Sequence, residues 1–350
     1  MSLFTRRQFI TTFGAAAASI CLPATAHAQR RPTSLTVRDP GGSYVEAFKE
    51  AFYLPFEKKT GIKIVSAVAG HDPTAQIKAM VEARSHTWDV ALVARSAAQM
   101  LGGDKLLEPL NVQGSAFDDL PDTYRTEHFA GVDIYAAVLA YRTDTLKRSP
   151  SSWADLWDIE NFPGRRSLRN HPFDTIEVAL MADGVPTDQV YPCDMDRAFK
   201  SLEKLAPNVN IWWGQGAQST QLIQSGEVDM IAMWNGAAQR VVDAGAPVAI
   251  QWNQNIANVE GWVILGGTPK AEVAREFVAF TMDPKQQAIL AKHMAYGPAN
   301  PKAFDYIEEK RAVQLSTHPE YRRVALNINN DYWAENKDIA MERFNTWKLR

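Results

Sequence analysis

The sequence predicts an α/β protein of two lobes, each a sheet flanked by helices. Three observations carry that expectation. Short apolar strands alternate with amphipathic helices along most of the chain, as sheets covered by helices require. The 350 residues suit two domains at about 150 residues each. One apolar run, Val132 to Tyr141, is long enough to pass from one lobe into the other.

The first 28 residues are expected to be removed. Thr5-Arg6-Arg7-Gln8-Phe9-Ile10, the apolar run Phe9 to Cys21 and the small-residue site Ala26-His27-Ala28 read as a twin-arginine export signal cleaved after Ala28. The run is shorter than the roughly 20 apolar residues that cross a bilayer. The twin-arginine route is an address read by a receptor, so the expected location is the periplasm.

Beyond Gln29, Leu35 to Arg38 is a strand, and Asp39-Pro-Gly-Gly42 a turn. Ser43 is placed to cap a helix whose apolar face uses Val45, Phe48, Phe52 and Phe56, and Gly61 stops that helix. Ile62 to Val68 is a strand, Asp72 to Ala83 a helix and Trp88 to Val93 a buried strand. After the crossing strand, Pro150 to Trp157 is a short capped helix. Helices follow from Asp174 and over Asp194 to Leu205, then the strand Val209 to Trp213 and the helix Ala217 to Gln224. Val228 to Trp234, Val248 to Trp252 and Glu260 to Leu265 are strands. Lys270 to Phe280 and Pro284 to Lys292 are helices, and a helical tail closes the chain.

Composition excludes several functions. With 37 basic and 40 acidic residues the chain is mildly acidic, which speaks against nucleic acid or an anionic membrane as partner. Cys21 falls in the signal, leaving Cys193 as the only mature thiol, a bland loop or core residue with no disulfide to form. His27, His71, His86, His128, His171, His293 and His318 are scattered without metal-ligand spacing. No Gly-x-Ser-x-Gly elbow is present. Gly214-Gln-Gly216-Ala-Gln-Ser219 opens a helix after a strand but has Ser in place of the third glycine, so it reads as a turn presenting helix amides. No cofactor, metal or catalytic residue is expected.

The remaining constellation suits an amine. Open parallel sheets bind ligands beyond the carboxyl ends of their strands, and two such lobes enclose a cleft. Trp234 ends a strand and runs into Asn235-Gly236; Tyr44 and Tyr296 lie in loops near glycines; Asp174 opens a helix; Glu260 stands two residues before Trp262. An ammonium over an indole face gains roughly 0.5–2 kcal/mol, and a carboxylate adds charge matching. Trp234 and Asp174 are expected to face one another across the gap.

The same residues carry a family resemblance that covers nearly all of the mature chain. Ala51 to Ile64, Trp88 to Leu92, Pro150 to Trp157 with Phe162-Pro-Gly164, Gly226 to Gly236, Ala295 to Asn300, and Tyr332 to Asn336 with Phe344 to Trp347 resemble the extracytoplasmic spermidine/putrescine-type solute-binding proteins of ABC importers. The resemblance implies a type II-like periplasmic binding fold with lobes over 29–138 plus 258–302 and 139–257 plus 303–350. It implies a hinge of crossing strands at Val138 to Tyr141 and Ala257 to Val259. It also implies a small-molecule amine ligand and a membrane permease as partners, and a receptor without catalysis acting as a monomer. Trp234 matches the family's stacking tryptophan, Asp174 its amine-facing carboxylate, and Tyr44 the aromatic of the first-lobe loop.

Two departures bear on the ligand. The residue before the loop tyrosine is Ser43 where polyamine binders carry an acid, and Glu260 precedes Trp262 where they pair Trp with Asp. Fewer carboxylates offset less of the cost of desolvating a dication. The expected ligand is an amine-bearing, polyamine-like compound, the alternatives being a zwitterion such as 4-aminobutyrate and another cargo such as thiamine, a metal or an oxyanion. An exported enzyme is the rival class.

Overall fold

The computed structural model describes residues 31–70, 72–112 and 114–349; the expected export signal lies outside them. Eight main strands run in chain order: β1 Ser34–Asp39, β2 Lys63–Val68, β3 Val90–Ala94, β4 Ala130–Arg142, β5 Arg166–Arg169, β6 Val209–Trp213, β7 Met230–Trp234 and β8 Val248–Leu265. They hydrogen-bond in the order β2-β1-β3-β8-β4-β7-β5-β6. β1 pairs parallel with β2 and β3, and β5 with β6 and β7. The centre, where β8 meets β3 and β4, and β4 meets β7, is antiparallel. The strands form one continuous mixed sheet rather than one per lobe, and each parallel triplet takes its helices as crossovers.

β4 and β8 hold the two halves together. Leu35, Phe48, Phe52, Leu92, Ile134, Val259, Trp262 and Phe277 belong to one hydrophobic core; Leu139, Trp153, Leu168, Ile176, Met230, Ile256 and Trp333 belong to another. On β8 the change of core falls between Ile256 and Ala257, and Ala257 pairs with Ala136 of β4. Past that point β4 alternates: Ala137, Leu139 and Tyr141 face the second core, while Ala136, Val138 and Ala140 face a third cluster with Ile223 and Ile231. A strand covered on both faces reads as a continuous apolar run, which is why β4 is recognisable in the sequence.

Three local expectations are corrected. The helix after the first turn is not uniform: Ser43–Phe48 is α-helical, Lys49–Tyr53 is a π segment, and Leu54–Thr60 is α-helical again, ended by Gly61 at φ 73°. Pro55 has no N–H to give the carbonyl of Ala51, so the ladder shifts there. Ser43 begins this helix without capping it; no side chain does so, and the amides of Tyr44 and Val45 donate to the carbonyls of Gly41 and Gly42. The expected strands 248–252 and 260–265 are one 18-residue strand. Its polar middle leaves the register as a bulge in which Ala137 pairs with Ile256 but Leu139 with Gln251, and Gln254 sits at φ 61°. β5, Arg-Ser-Leu-Arg, has charges at both ends and no apolar run to announce it.

Candidate functional site

A cavity of about 130 Å³ opens where the strand ends converge, an order of magnitude above the roughly 10–15 Å³ that one water needs. Its walls include Tyr44, in the helix after β1, Ala94 and Ser96 at the end of β3, Arg169 at the end of β5 and Trp234 at the end of β7. This is the crevice beyond the carboxyl ends of the strands. Tyr135, Glu260 and Tyr296 complete one side; His171, Phe173, Trp333 and Lys337 form much of the other.

One end is acidic. The Tyr44 hydroxyl donates to Glu260 Oε2 at 2.5 Å. Asp133 pairs with Glu260 across β4 and β8 and is buried to 1% exposure. Burial first, and the Glu260 charge second, hold the Asp133 carboxyl well above the usual carboxylate range. Glu260 is also raised by burial, against the Tyr44 hydrogen bond and the cations Arg38 and Arg169.

The other end is basic. Arg169 Nη1 donates to Asp174 Oδ2 at 2.8 Å, and its guanidinium lies 5.0 Å from the centroid of the Trp234 ring. Its Nε and Nη2 have no hydrogen-bond partner among the described residues, and the side chain lines the cavity. Asp174 is itself buried behind the cation, at φ 71°, a backbone state that a non-glycine residue adopts rarely and that concentrates at functional sites. His171 Nδ1 accepts the Phe173 amide. Burial, then Arg169 and Lys337, push the imidazole down to about 3, so it lines the cavity as a neutral ring.

Aromatic rings join the two ends. Tyr44 and Tyr296 have centroids 5.8 Å apart, Tyr296 and Tyr135 6.2 Å, and Tyr135 and Trp234 6.1 Å. Glycines allow this wall: a Cβ at Gly236 would meet Tyr296 Cε1 at 2.5 Å, and one at Gly216 would meet the Trp234 ring at 3.1 Å. Lys337, from the last helix Asn330–Lys348, pairs with Asp72 at the rim.

Of the sequence-expected residues, the structure brings Tyr44, Trp234, Glu260 and Tyr296 to this cavity. Four others lie elsewhere. Trp262 has 0% exposure and packs on Phe48, Phe52 and Phe277; two residues along the same face of β8 from Glu260, it is already beneath the first helix. Asp174 does not line this cavity: it lies behind it, holding Arg169 and beside the Trp234 indole, whose hydrogen bond also favours its ionised form. Asn235 is buried, accepting from the Ala136 amide at 2.9 Å and donating to the Ala295 carbonyl at 2.5 Å, so it fixes the loop that carries Tyr296. Ser43 lines a smaller neighbouring cavity with Gly236 and Arg240. Sequence reasoning missed Arg169 and Asp133; recognising β5 as a strand would have put Arg169 at a carboxyl end, as with Trp234.

Behind the wall, Glu177 accepts hydrogen bonds at Oε1 from Tyr191 (2.6 Å) and Trp333 (2.5 Å). Burial raises its carboxyl to about 7. A raised carboxylate gives a fold that is fully stable below the unfolded value and loses stability as pH climbs through 7. Glu177→Gln is expected to stabilise the protein at pH 8, by on the order of 2 kcal/mol, and to change little at pH 4. Thermal melts at the two pH values check this.

The chain is similar to several known proteins. The family described as bacterial extracellular solute-binding protein matches residues 51–320. A gamma-aminobutyric acid-binding protein of Pseudomonas aeruginosa is 33% identical over 93% of this chain and 94% of its own length. A spermidine/putrescine-binding periplasmic protein of Escherichia coli is 22% identical over 81% and 83%. A solved GABA receptor structure superposes with a TM-score of 0.83 at 34% identity, covering 90% of this chain and 97% of that one.

Proposed function

Because the chain belongs to the bacterial extracellular solute-binding proteins and is an ABC-type solute receptor, we propose that its cleft captures a short ω-amino acid, with 4-aminobutyrate as the type ligand. One observation carries the choice. Glu260 with Tyr44 stands at one end of the aromatic wall and Arg169 at the other, and among the described residues no ion pair joins them. A molecule with an ammonium at one end and a carboxylate at the other satisfies both.

The ammonium sits by Glu260, against the faces of Tyr296 and Tyr135, and the carboxylate takes the open N–H groups of Arg169. Asp174 positions that guanidinium. A diamine would bring its second ammonium against Arg169 in a site of low dielectric, where like charges repel strongly. The names of the relatives that bind gamma-aminobutyric acid support the same choice.

The rest of the reading is that of a receptor without catalysis. The lobes, 29–138 plus 258–302 and 139–257 plus 303–350, close by bending β4 and β8 where the two cores meet, and ligand favours closure by its higher affinity for the closed form. The Asp72–Lys337 pair at the rim belongs to that form. The protein is exported by its twin-arginine signal, cut after Ala28, works as a monomer in the periplasm and delivers its ligand to an ABC permease, with no nucleic-acid partner. Isothermal titration with 4-aminobutyrate, putrescine and spermidine tests the ligand. Saturable binding of 4-aminobutyrate, with the diamine at least tenfold weaker, is expected; binding of the polyamines alone would refute the assignment.

A further inference from the structure

We propose that Asp133, which does not line the cavity, shares a proton with Glu260, so that capture of an ammonium ligand expels a proton from the carboxyl pair. This rests on the placement of the ammonium in the reading above.

A β-bulge builds the pair. Ala130 pairs with Trp262 and Gly131 with Gly261, but Asp133, not Val132, pairs with Glu260. The extra residue turns a carboxyl toward Glu260 that regular pairing would have placed elsewhere, a known use of bulges beside binding sites. Facing residues of an antiparallel pair have Cα atoms roughly 4.5–5.5 Å apart. Neither carboxyl oxygen of Asp133 has a hydrogen-bond partner among the described residues, and an ionised carboxylate so placed is costly. A single proton between the two acids removes most of that cost, since like charges at this range do not both ionise readily.

The groups facing the pair do not supply the proton instead. Tyr44, from the helix after β1, and Tyr296, from the loop after the helix Pro284–His293, are both held above the usual tyrosine range, chiefly by burial, and stay protonated. Arg38 of β1 and Arg169 of β5 act on Glu260, and Arg240 of the helix Asn235–Asp243 acts on Tyr296, all as fixed cations. The histidine of the cavity, His171, is neutral in the working range. An arriving ammonium adds a mobile positive charge beside Glu260, lowers the proton affinity of the pair and drives the shared proton off. The pair thereby senses whether the ligand carries an ammonium, which a neutral isostere of the same shape does not.

The test is isothermal titration of 4-aminobutyrate near neutral pH in buffers of different ionisation enthalpy, since the ligand keeps its own charges across this range. The observed heat should vary linearly with buffer enthalpy, with a slope corresponding to release of up to one proton. Affinity should climb with pH, by at most about tenfold per unit. Asp133→Asn, which mimics the protonated acid, should still bind but with the slope gone. Binding with no buffer dependence in the unaltered protein, or a slope unchanged in Asp133→Asn, overturns the proposal. The unaltered protein decides the point even where the variant folds poorly. Absence of any 4-aminobutyrate binding bears on the proposed function; putrescine, which presents ammonium alone, then tests the pair in the same buffers.

Discussion

Arg169→Ala is expected to weaken 4-aminobutyrate binding by about 100-fold, with putrescine unchanged or tighter. Charge-assisted hydrogen bonds are worth about 1.5–3 kcal/mol, and each 1.4 kcal/mol is about tenfold in affinity, so removing the guanidinium removes most of the hold on the carboxylate. The diamine loses only a repulsion. Because Arg169 also neutralises the buried Asp174, stability should fall as well, since breaking a buried pair leaves a charge behind. Arg169→Lys separates the two effects. It keeps the charge near Asp174 but loses the forked geometry that takes a carboxylate with two parallel bonds, so it should recover more stability than affinity. Titration with both ligands, together with urea denaturation, measures both effects in each variant. A 4-aminobutyrate affinity within threefold of the parent in Arg169→Ala would place the carboxylate elsewhere.

Trp262→Ala should cost about 3–5 kcal/mol of folding stability, the range for emptying a buried large aromatic site. Its ring contacts Phe48, Phe52 and Phe277 at centroid distances of 5.1, 6.4 and 5.5 Å, so three partners lose their packing at once. Trp234→Ala should behave in the opposite way. Its ring faces the cavity and holds the Arg169 guanidinium in place, so its loss should loosen the cation that takes the carboxylate and weaken binding by roughly tenfold, at a smaller cost in stability. Denaturant midpoints and titrations of the two variants distinguish a core tryptophan from a binding tryptophan. Equal stability losses would contradict the assignment.

The contrast between these two tryptophans shows what the sequence made legible. Strands covered on both faces, such as β4 and β7, announce themselves by apolar runs, and their carboxyl ends then point to the cleft, as the position of Trp234 on the cavity wall shows. The first glycine turn, Asp39 to Gly42, led to Tyr44 for the same reason. Trp262 is buried, not in the cleft, because a strand's alternation gives the face but not how far along that face the cover extends. Glu260 lies beyond the covering helix, where its neighbour Tyr44 reaches it, and Trp262 lies under it. The sequence marks Asp174 as a helix-opening carboxylate but not its partner. A buried carboxylate needs a cation, and here the protein supplies one, Arg169, from a four-residue strand without an apolar signature. In the proposed reading, that cation is what turns the ligand from an amine into an amino acid. Asp133 stayed hidden because a bulge, invisible to periodicity, decides which face it takes.

The most direct test is a crystal structure of the protein grown with 4-aminobutyrate. The ligand carboxylate should lie within about 3 Å of the Arg169 guanidinium nitrogens, and its ammonium within about 3 Å of Glu260, with Asp174 still bonded to Arg169. A ligand bound in the reverse sense, or with its ammonium on Asp174 and Arg169 turned out of the cavity, would contradict the account.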